Sequence, residues 1–440
     1  MSKLALLGGK KSVRSNPKDV FTWPIINKEM ENAVLKVLRA GNMSGNDITK
    51  KFERGFADWH KMKYGLGFST GTGALQSAMF GLGIGAGDEI ICPSITYWAS
   101  CLPVYSLGGT VVFADIDPKT LCLDPNDIEH RITKRTKAIV VVHYCGRPAD
   151  MDKIMAIARK HKIKVIEDVS HAHGALYKGK MVGTFGDASA FSLMSGKSFA
   201  IGEAGILLTN SQEVYQRAAA FGFYERAAEL TLPEVAAGAG LPWGGYKYRM
   251  HQLSSAVGLV QLKKYPREMA EIDKSMNYFC DLLEGAPGIS FPRPPKGSKT
   301  TMGGWFMCRG LYRSEELGGL SATRFCEAVS AEGSSTETGC TQALHLHPLF
   351  RTVDIYHQCR PTRFANSNPG LKQPEGSLPV SEGIQTKIFR LPWFKRYYPN
   401  VIKEHAAAFR KVAENYRELL PGDKGNPKNV TNWGLTTRKK

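Results

Sequence analysis

Two residues in this sequence have the types and the setting to do chemistry together. Asp168 ends a short run, Lys164-Val165-Ile166-Glu167-Asp168, that reads as a buried strand. Lys197 follows a second apolar run, Ala188 to Met194, across Ser195-Gly196. If both runs are strands of one sheet, carboxylate and amine meet at its carboxyl edge, where open α/β sheets bind ligands. Three chemistries fit the pair. One is a plain salt bridge. A second is a phosphate loop, because Ser195-Gly196-Lys197-Ser198 has the ending of one. That loop needs a glycine where Phe191 stands, and none lies between Asp187 and Ser195, so its amides cannot wrap a phosphate. The third is pyridoxal phosphate (PLP) chemistry. A lysine amine forms the Schiff base, and a carboxylate keeps the ring nitrogen protonated so that the ring takes up electrons.

Asp168-x-x-His171-Ala172, Phe191-Ser192-x-x-x-x-Lys197 and Gly202-Glu203-x-Gly205 occur in that order. Together they resemble the DegT-type PLP-dependent sugar aminotransferases of fold type I. Those proteins read EDxAQA or EDxAHA, then FSxxxxK, then GEGG; Ala204 departs slightly from the last pattern. The resemblance spans about 20–420. It implies an α/β, fold type I PLP-dependent transferase: a large domain with a mostly parallel seven-stranded sheet, plus a smaller α+β C-terminal domain. It further implies roles for individual residues. Lys197 holds PLP and then shuttles a proton. Asp168 faces the ring nitrogen, His171 the ring hydroxyl, and Ser192 supports the phosphate. Tyr97, after Thr96, takes the place of an aromatic that stacks on the ring. His173 has no counterpart and reads as a structural histidine.

The same resemblance extends to two further stretches. Ser69-Thr70-Gly71-Thr72-Gly73-Ala74 runs from an apolar strand into a helix. Small residues there let a phosphate reach free backbone amides. Its position is similar to the family's SGTAAL segment, which implies a phosphate cup of Gly71, Thr72 and Gly73. Gly245-Tyr246-Lys247-Tyr248-Arg249-Met250 stands where the family has G-x-N-x-R-M, its Asn reaching the neighbouring subunit's phosphate. Lys247 replaces that Asn and serves as a point charge. This implies a homodimer with shared active sites. Arg249 reads as structural or substrate-facing.

The elements that must position these residues follow from periodicity. Apolar spacing predicts helices over 28–40 and about 46–60, the second with Phe52, Phe56 and Trp59 as a core stripe. Strands are expected at Glu89 to Pro93, Thr110 to Asp115 and Lys137 to His143, with a helix opening at Ser94 to Trp98 and another near 149–162. Strand–helix alternation implies a mostly parallel, doubly wound sheet. Gly81 to Gly87 has GxGxGxG spacing but follows a helix, so it reads as a cap and turn, not a dinucleotide loop. Residues 205–210 read as a strand, 211–222 as a helix and 224–245 as a long mobile loop. A helical region over 251–285 is expected to break or kink at Pro266. The domains divide as an arm (1–27), a PLP-binding domain (28–265), a small domain (266–420) and a disordered polar tail (421–440). The small domain is given strands near 303–312 and helices near 321–332 and 400–419. His345 and His347 lack a third ligand nearby, so no metal is assigned.

Composition narrows the class. The net charge of +18 favours anionic partners, but no basic helix carries interleaved aromatics, so no nucleic-acid surface is assigned. Nine scattered cysteines, an odd number without a CxxC pair, indicate free thiols in a reducing compartment. No run suits a signal peptide or a membrane span, so the expectation is a soluble cytoplasmic protein with no membrane partner. The expected activity moves an amino group from glutamate or glutamine to a keto-sugar, nucleotide-linked, or a keto-cyclitol. The alternatives are a PLP-dependent sugar dehydratase, which replaces the lysine with histidine, and a non-catalytic binding protein on the same fold.

Overall fold

The computed structural model describes residues 3–15, 17–360, 362 and 373–427. Helices α1 (Lys28–Arg39) and α2 (Asp47–Trp59) lead into strand β1 (Tyr64–Phe68) and helix α3 (Gly71–Gly81). Strands β2 (Glu89–Pro93) and β3 (Thr110–Ala114) follow, then α4 (Pro125–Arg131), β4 (Thr136–Val142), α5 (Met151–His161) and β5 (Lys164–Asp168). A small hairpin, β6 (Leu176–Tyr177) with β7 (Lys180–Met181), precedes β8 (Ala188–Ser192), β9 (Gly205–Thr209) and α6 (Gln212–Gly222). Seven strands make one sheet in the order β1-β9-β8-β5-β4-β2-β3. All are parallel except β9, which runs against both β1 and β8. The central strands are valine- and isoleucine-rich because both faces are covered.

Several expectations change. No α-helix opens after β2; two 3-10 turns, Trp98–Ser100 and Leu102–Leu107, stand there, because Pro103 and Gly108 interrupt a longer helix. Residues 224–245 are not a bare loop: a 3-10 turn (Tyr224–Glu229) and α7 (Pro233–Ala236) pin it through the fully buried Val235. Helix α8 (Gln252–Leu282) runs unbroken through Pro266. Its first half packs through Ala256, Val260 and Tyr265, its second through Ile272, Met276 and Phe279. That burial outweighs the one backbone bond a proline removes. The start of the tail is docked: Ser321 donates to the Asp423 carboxylate from its amide (2.7 Å) and its hydroxyl. The rest of the tail expectation, 428–440, lies outside the described residues.

The small domain holds β10 (Ile289–Ser290), β11 (Arg309–Tyr312), α9 (Ala322–Ala331), β12 (Ile388–Arg390) and α12 (Pro399–Glu414). The strands form an antiparallel sheet, β10-β11-β12. The stretch expected as strand from 303 is loop until Arg309. Short helices α10 (Pro348–Arg351) and α11 (Pro379–Gly383) lie in a segment that returns to the large sheet. There Gln373 bonds both the amide (2.9 Å) and carbonyl (2.6 Å) of Phe113 on edge strand β3, satisfying groups an edge leaves open. The arm packs on the small domain through fully buried Leu4 and Val20. No helix among the described residues is long and apolar enough to cross a membrane.

Candidate active site

The cradle comes first in the chain. Thr70 ends the β1 turn, and its hydroxyl accepts the Gly73 amide at 3.0 Å, capping α3. This cap occupies the Gly73 donor. The first-turn amides of Gly71 and Thr72 stay without an intrahelical partner, as helix geometry dictates. A side chain at 71 would place its Cβ 2.8 Å from Cα and Cβ of Ser192, and one at 205 would lie 2.4 Å from the Thr70 carbonyl. Glycine at these two positions lets the start of α3 rest on the ends of β8 and β9. Thr72, Gly71 and Ser192 therefore come together at one sheet edge.

Asp168 ends β5 beside that edge, in register with Ala190 of β8. Its carboxylate accepts the Ser100 hydroxyl at 2.7 Å and the Ser170 amide at 3.0 Å. Ser100 is in turn bonded to Thr96 at 2.8 Å. Both oxygens are thus aimed and the group is buried. Lys197 is also buried, with its amine 4.4 Å from the centre of the Phe306 ring. Burial lowers its pKa to about 8, against the opposing pull of Asp168 and Cys145. Among the described residues Lys197 and Asp168 make no salt bridge, so the plain ion-pair reading of the sequence does not hold.

His171 lies on the same side. Its Nδ1 accepts the Cys145 amide at 3.3 Å, and its ring sits 4.9 Å from Phe306. Burial first, then Lys197, hold it far below the usual histidine range, so it is neutral with its proton on Nε2. His173 bonds Ser198 at 3.1 Å through Nδ1 and stacks on Phe199, a core setting. Tyr97 is 40 % exposed against Trp98, three residues before Ser100, on the turn that reaches Asp168. Lys247 is exposed over Tyr224, while Tyr246 and Tyr248 stack on each other and Tyr248 faces Gly73. Within this chain Lys247 is not brought to the cradle. Arg249 lies by Tyr224 and Glu225, and Glu203 is exposed. Glu167 holds the sheet edge instead: His143 and the amides of Gly183, Phe185 and Gly186 all donate to it. His345 is engaged by Ser94 and Glu382, and His347 caps Leu349.

Sequence reasoning missed several residues. Ser100 carries no signal beyond following a strand end. Trp23, within the arm, donates its indole N–H to the Lys197 carbonyl at 2.7 Å. The small domain supplies a roof, residues 302–307. A Cβ on Gly303 would lie 2.4 Å from the His173 carbonyl, and one on Gly304 2.2 Å from Ser198. Trp305 and Met307 there adopt φ of +53° and +50°, a left-handed strain found where structure over-determines it. The Gly303-Gly304 pair was the available signal.

A mostly parallel sheet with an amine, an aimed carboxylate and a helix-start cradle at one edge defines a PLP-enzyme architecture. The DegT/DnrJ/EryC1/StrS aminotransferase family model matches residues 24–403, and the chain belongs to that family. It is 30% identical over 432 residues to L-glutamine:2-deoxy-scyllo-inosose aminotransferase of Micromonospora echinospora, covering 95% of this chain and all of that one. It is 40% identical over 239 residues to GDP-perosamine synthase of Escherichia coli O157:H7, 52% of this chain and 63% of that one. The structure of an aminotransferase from Psychrobacter cryohalolentis superposes with a TM-score of 0.78 at 29% identity, covering 90% of this chain and 99% of that one. The protein is an aminotransferase, and its family uses PLP. The residues present fit that cofactor: the open amides of Gly71 and Thr72 suit its phosphate, and the buried low-pKa amine suits its aldehyde.

Proposed function

We propose that the chain transfers an amino group from glutamine or glutamate to a hydroxylated ring ketone, a keto-cyclitol or a nucleotide-linked keto-sugar. Lys197 is the residue that holds the cofactor and Asp168 the one that faces its ring nitrogen. When bound, PLP supplies an aldehyde for amines and a ring that stabilises negative charge on the neighbouring carbon. The observation that carries the reading is the Lys197 amine, buried and lowered to about 8 beside a carboxylate aimed by Ser100 and Ser170. An amine with that pKa is partly neutral at working pH, so it can attack, and it can give a proton back. Asp168, held in place by Ser100 and Ser170, would face the ring nitrogen and keep a proton on it. His171, neutral, offers an Nε2–H. Thr72, Gly71 and Ser192 would hold the phosphate, and Tyr97 would stack on the ring. The near full-length similarity to an inosose aminotransferase supports glutamine and a cyclitol. The higher-identity match to a GDP-sugar enzyme supports the nucleotide-linked ketone.

We also infer a homodimer in which Lys247 reaches the neighbouring cradle; its exposure between two inward-facing tyrosines supports this. A monomer with full activity at matched concentration in sedimentation would refute it. The activity is tested by the visible spectrum of the purified protein. The cofactor band should bleach with glutamine or glutamate and return with an inosose or a nucleotide-linked keto-sugar. Lys197→Ala should lose both responses. A band that neither donor bleaches refutes the donor assignment, and full transamination by Lys197→Ala refutes the lysine.

A further inference from the structure

A cavity of about 400 Å³ opens on the small-domain side; its walls include Phe21, Met307, Arg390, Trp393, Lys395 and His405. The catalytic lysine is close but screened: Phe306 covers the Lys197 amine, and Trp393 meets Phe306 edge-on at 5.6 Å. The cavity lies beyond that ring pair.

Its charge is unbalanced. Lys395 is 4% exposed, and its amine sits 3.0 Å from the centre of the Trp393 ring. Its one hydrogen bond goes to the Trp393 carbonyl at 3.2 Å. Among the described residues it has no carboxylate partner, whereas buried lysines are ordinarily paired. His405 is 1% exposed; Nδ1 bonds Ser334 at 2.8 Å, and Nε2 has no partner. Arg390 is bridged to Glu337 at 3.0 Å and bonds Ser335 at 3.3 Å. Glu404, next to His405, is taken up by the Arg14 and Ser15 amides. Two buried nitrogen groups and a guanidinium already paired with Glu337 thus share a cavity with no carboxylate among its described lining residues. An aromatic wall gives a low dielectric, in which an unmatched donor is costly and a matched one strong.

We propose that this cavity binds a phosphate group, held by Lys395, His405 and Arg390 against Trp393. A dianion matches the donors in type and number, and it supplies the charge that Lys395 lacks. Binding then draws a proton to Lys395, which burial lowers to about 6, and raises His405, which burial, opposed by Glu404, lowers to about 4. The site needs no turnover, so it stands or falls apart from the aminotransferase reading.

The test is calorimetry on the PLP-loaded enzyme, whose cradle is already filled, with sulfate, inorganic phosphate and GDP. Sulfate has a fixed charge, so its affinity should weaken as pH rises from about 6 to about 8, through deprotonation of Lys395. Lys395→Met should weaken every ligand about tenfold or more and reduce the pH dependence of sulfate binding. If GDP binds about tenfold tighter than phosphate and competes with the acceptor, the phosphate belongs to a nucleotide-linked substrate. If phosphate binds as tightly as GDP, the site takes free phosphate. No binding of any probe at millimolar concentration, or unchanged binding by Lys395→Met, overturns the proposal. Should Lys395→Met fail to fold, Arg390→Gln serves instead, and unchanged binding there overturns it equally.

Discussion

Replacing Lys197 by methionine in the cofactor-free protein tests whether its amine is as dry as the structure shows. Burial takes this lysine from 10.5 to about 8. Below about 8 the amine is protonated in both folded and unfolded chains, and the folded state bears the full cost of burying the charge. Between about 8 and 10.5 the unfolded chain binds the extra proton, so stability rises with pH. At roughly 1.4 kcal/mol per pKa unit the total is about 3 kcal/mol. Above 10.5 both states are neutral and the cost is gone. Lys197→Met removes this titration and leaves other groups in place. Urea unfolding of the two stripped proteins, from neutral pH to about 10.5, should therefore show the wild type gaining about 3 kcal/mol on the variant across that window. The offset at neutral pH mixes in methionine packing and an Asp168 without its nearby cation, so the relative slope is the diagnostic quantity. Curves that stay parallel from about 8 to 10.5 would refute the dry-amine argument, and with it the reason this lysine is partly neutral at working pH.

Three further changes have defined outcomes. Gly205→Ala drives a Cβ into the Thr70 backbone, which no rotamer relieves. The start of α3 must shift, at a cost of about 1–3 kcal/mol, and PLP affinity measured by equilibrium dialysis should fall about tenfold. Phe306→Ala lets water reach the Lys197 amine. Its pKa should return toward 10.5, seen as an alkaline shift of the lysine limb in the pH profile of cofactor binding; an unmoved limb counts against the roof. Glu332→Ala removes the fully buried acceptor shared by the Ala5 amide, Ser12 and Lys411. Urea unfolding should show a loss of about 3 kcal/mol, because part-buried donors of Ala5, Ser12 and Lys411 lose their partner while the cradle is untouched.

Some of this architecture is legible in the sequence because one local rule decides it. Val111 to Ala114 and Ala138 to Val142 are apolar runs of strand length, and Val165-Ile166 is a shorter one that ends on Glu167-Asp168; each lies in a sheet strand. Two-sided burial demands such runs wherever they occur. The direction of β9 is different. Its residues, Gly205-Ile206-Leu207-Leu208-Thr209, read as strand in either orientation. It is antiparallel because the short Leu193–Ala204 connection holds no crossover helix. Pro266 misleads for the opposite reason: the local penalty is real, yet two cores bury the helix on either side of it. Asp423 and Asn426 look like solvated tail residues, but their acceptors meet the first-turn donors of α9, a partner set more than a hundred positions away.

The candidate site divides along the same line. Asp168, His171, Ser192 and Lys197 stand within thirty residues, on two neighbouring strands of the sheet and the loops that follow them, so a motif can display their spacing. What sets their chemistry does not. The carboxylate is aimed by Ser100 from the turn after β2, and the lysine is dried by Phe306 and tethered through its carbonyl by Trp23. Those three residues come from the large domain, the small domain and the arm. The roof can reach the lysine only because Gly303 and Gly304 let backbone press on His173 and Ser198, in the loops that follow β5 and β8. The pKa of Lys197 is therefore a property of how the small domain is seated. A chain with the same motifs and a displaced roof would keep the residue types and lose the partly neutral amine. The lysine motif identifies the family, while the roof buries the amine and the arm tethers its carbonyl.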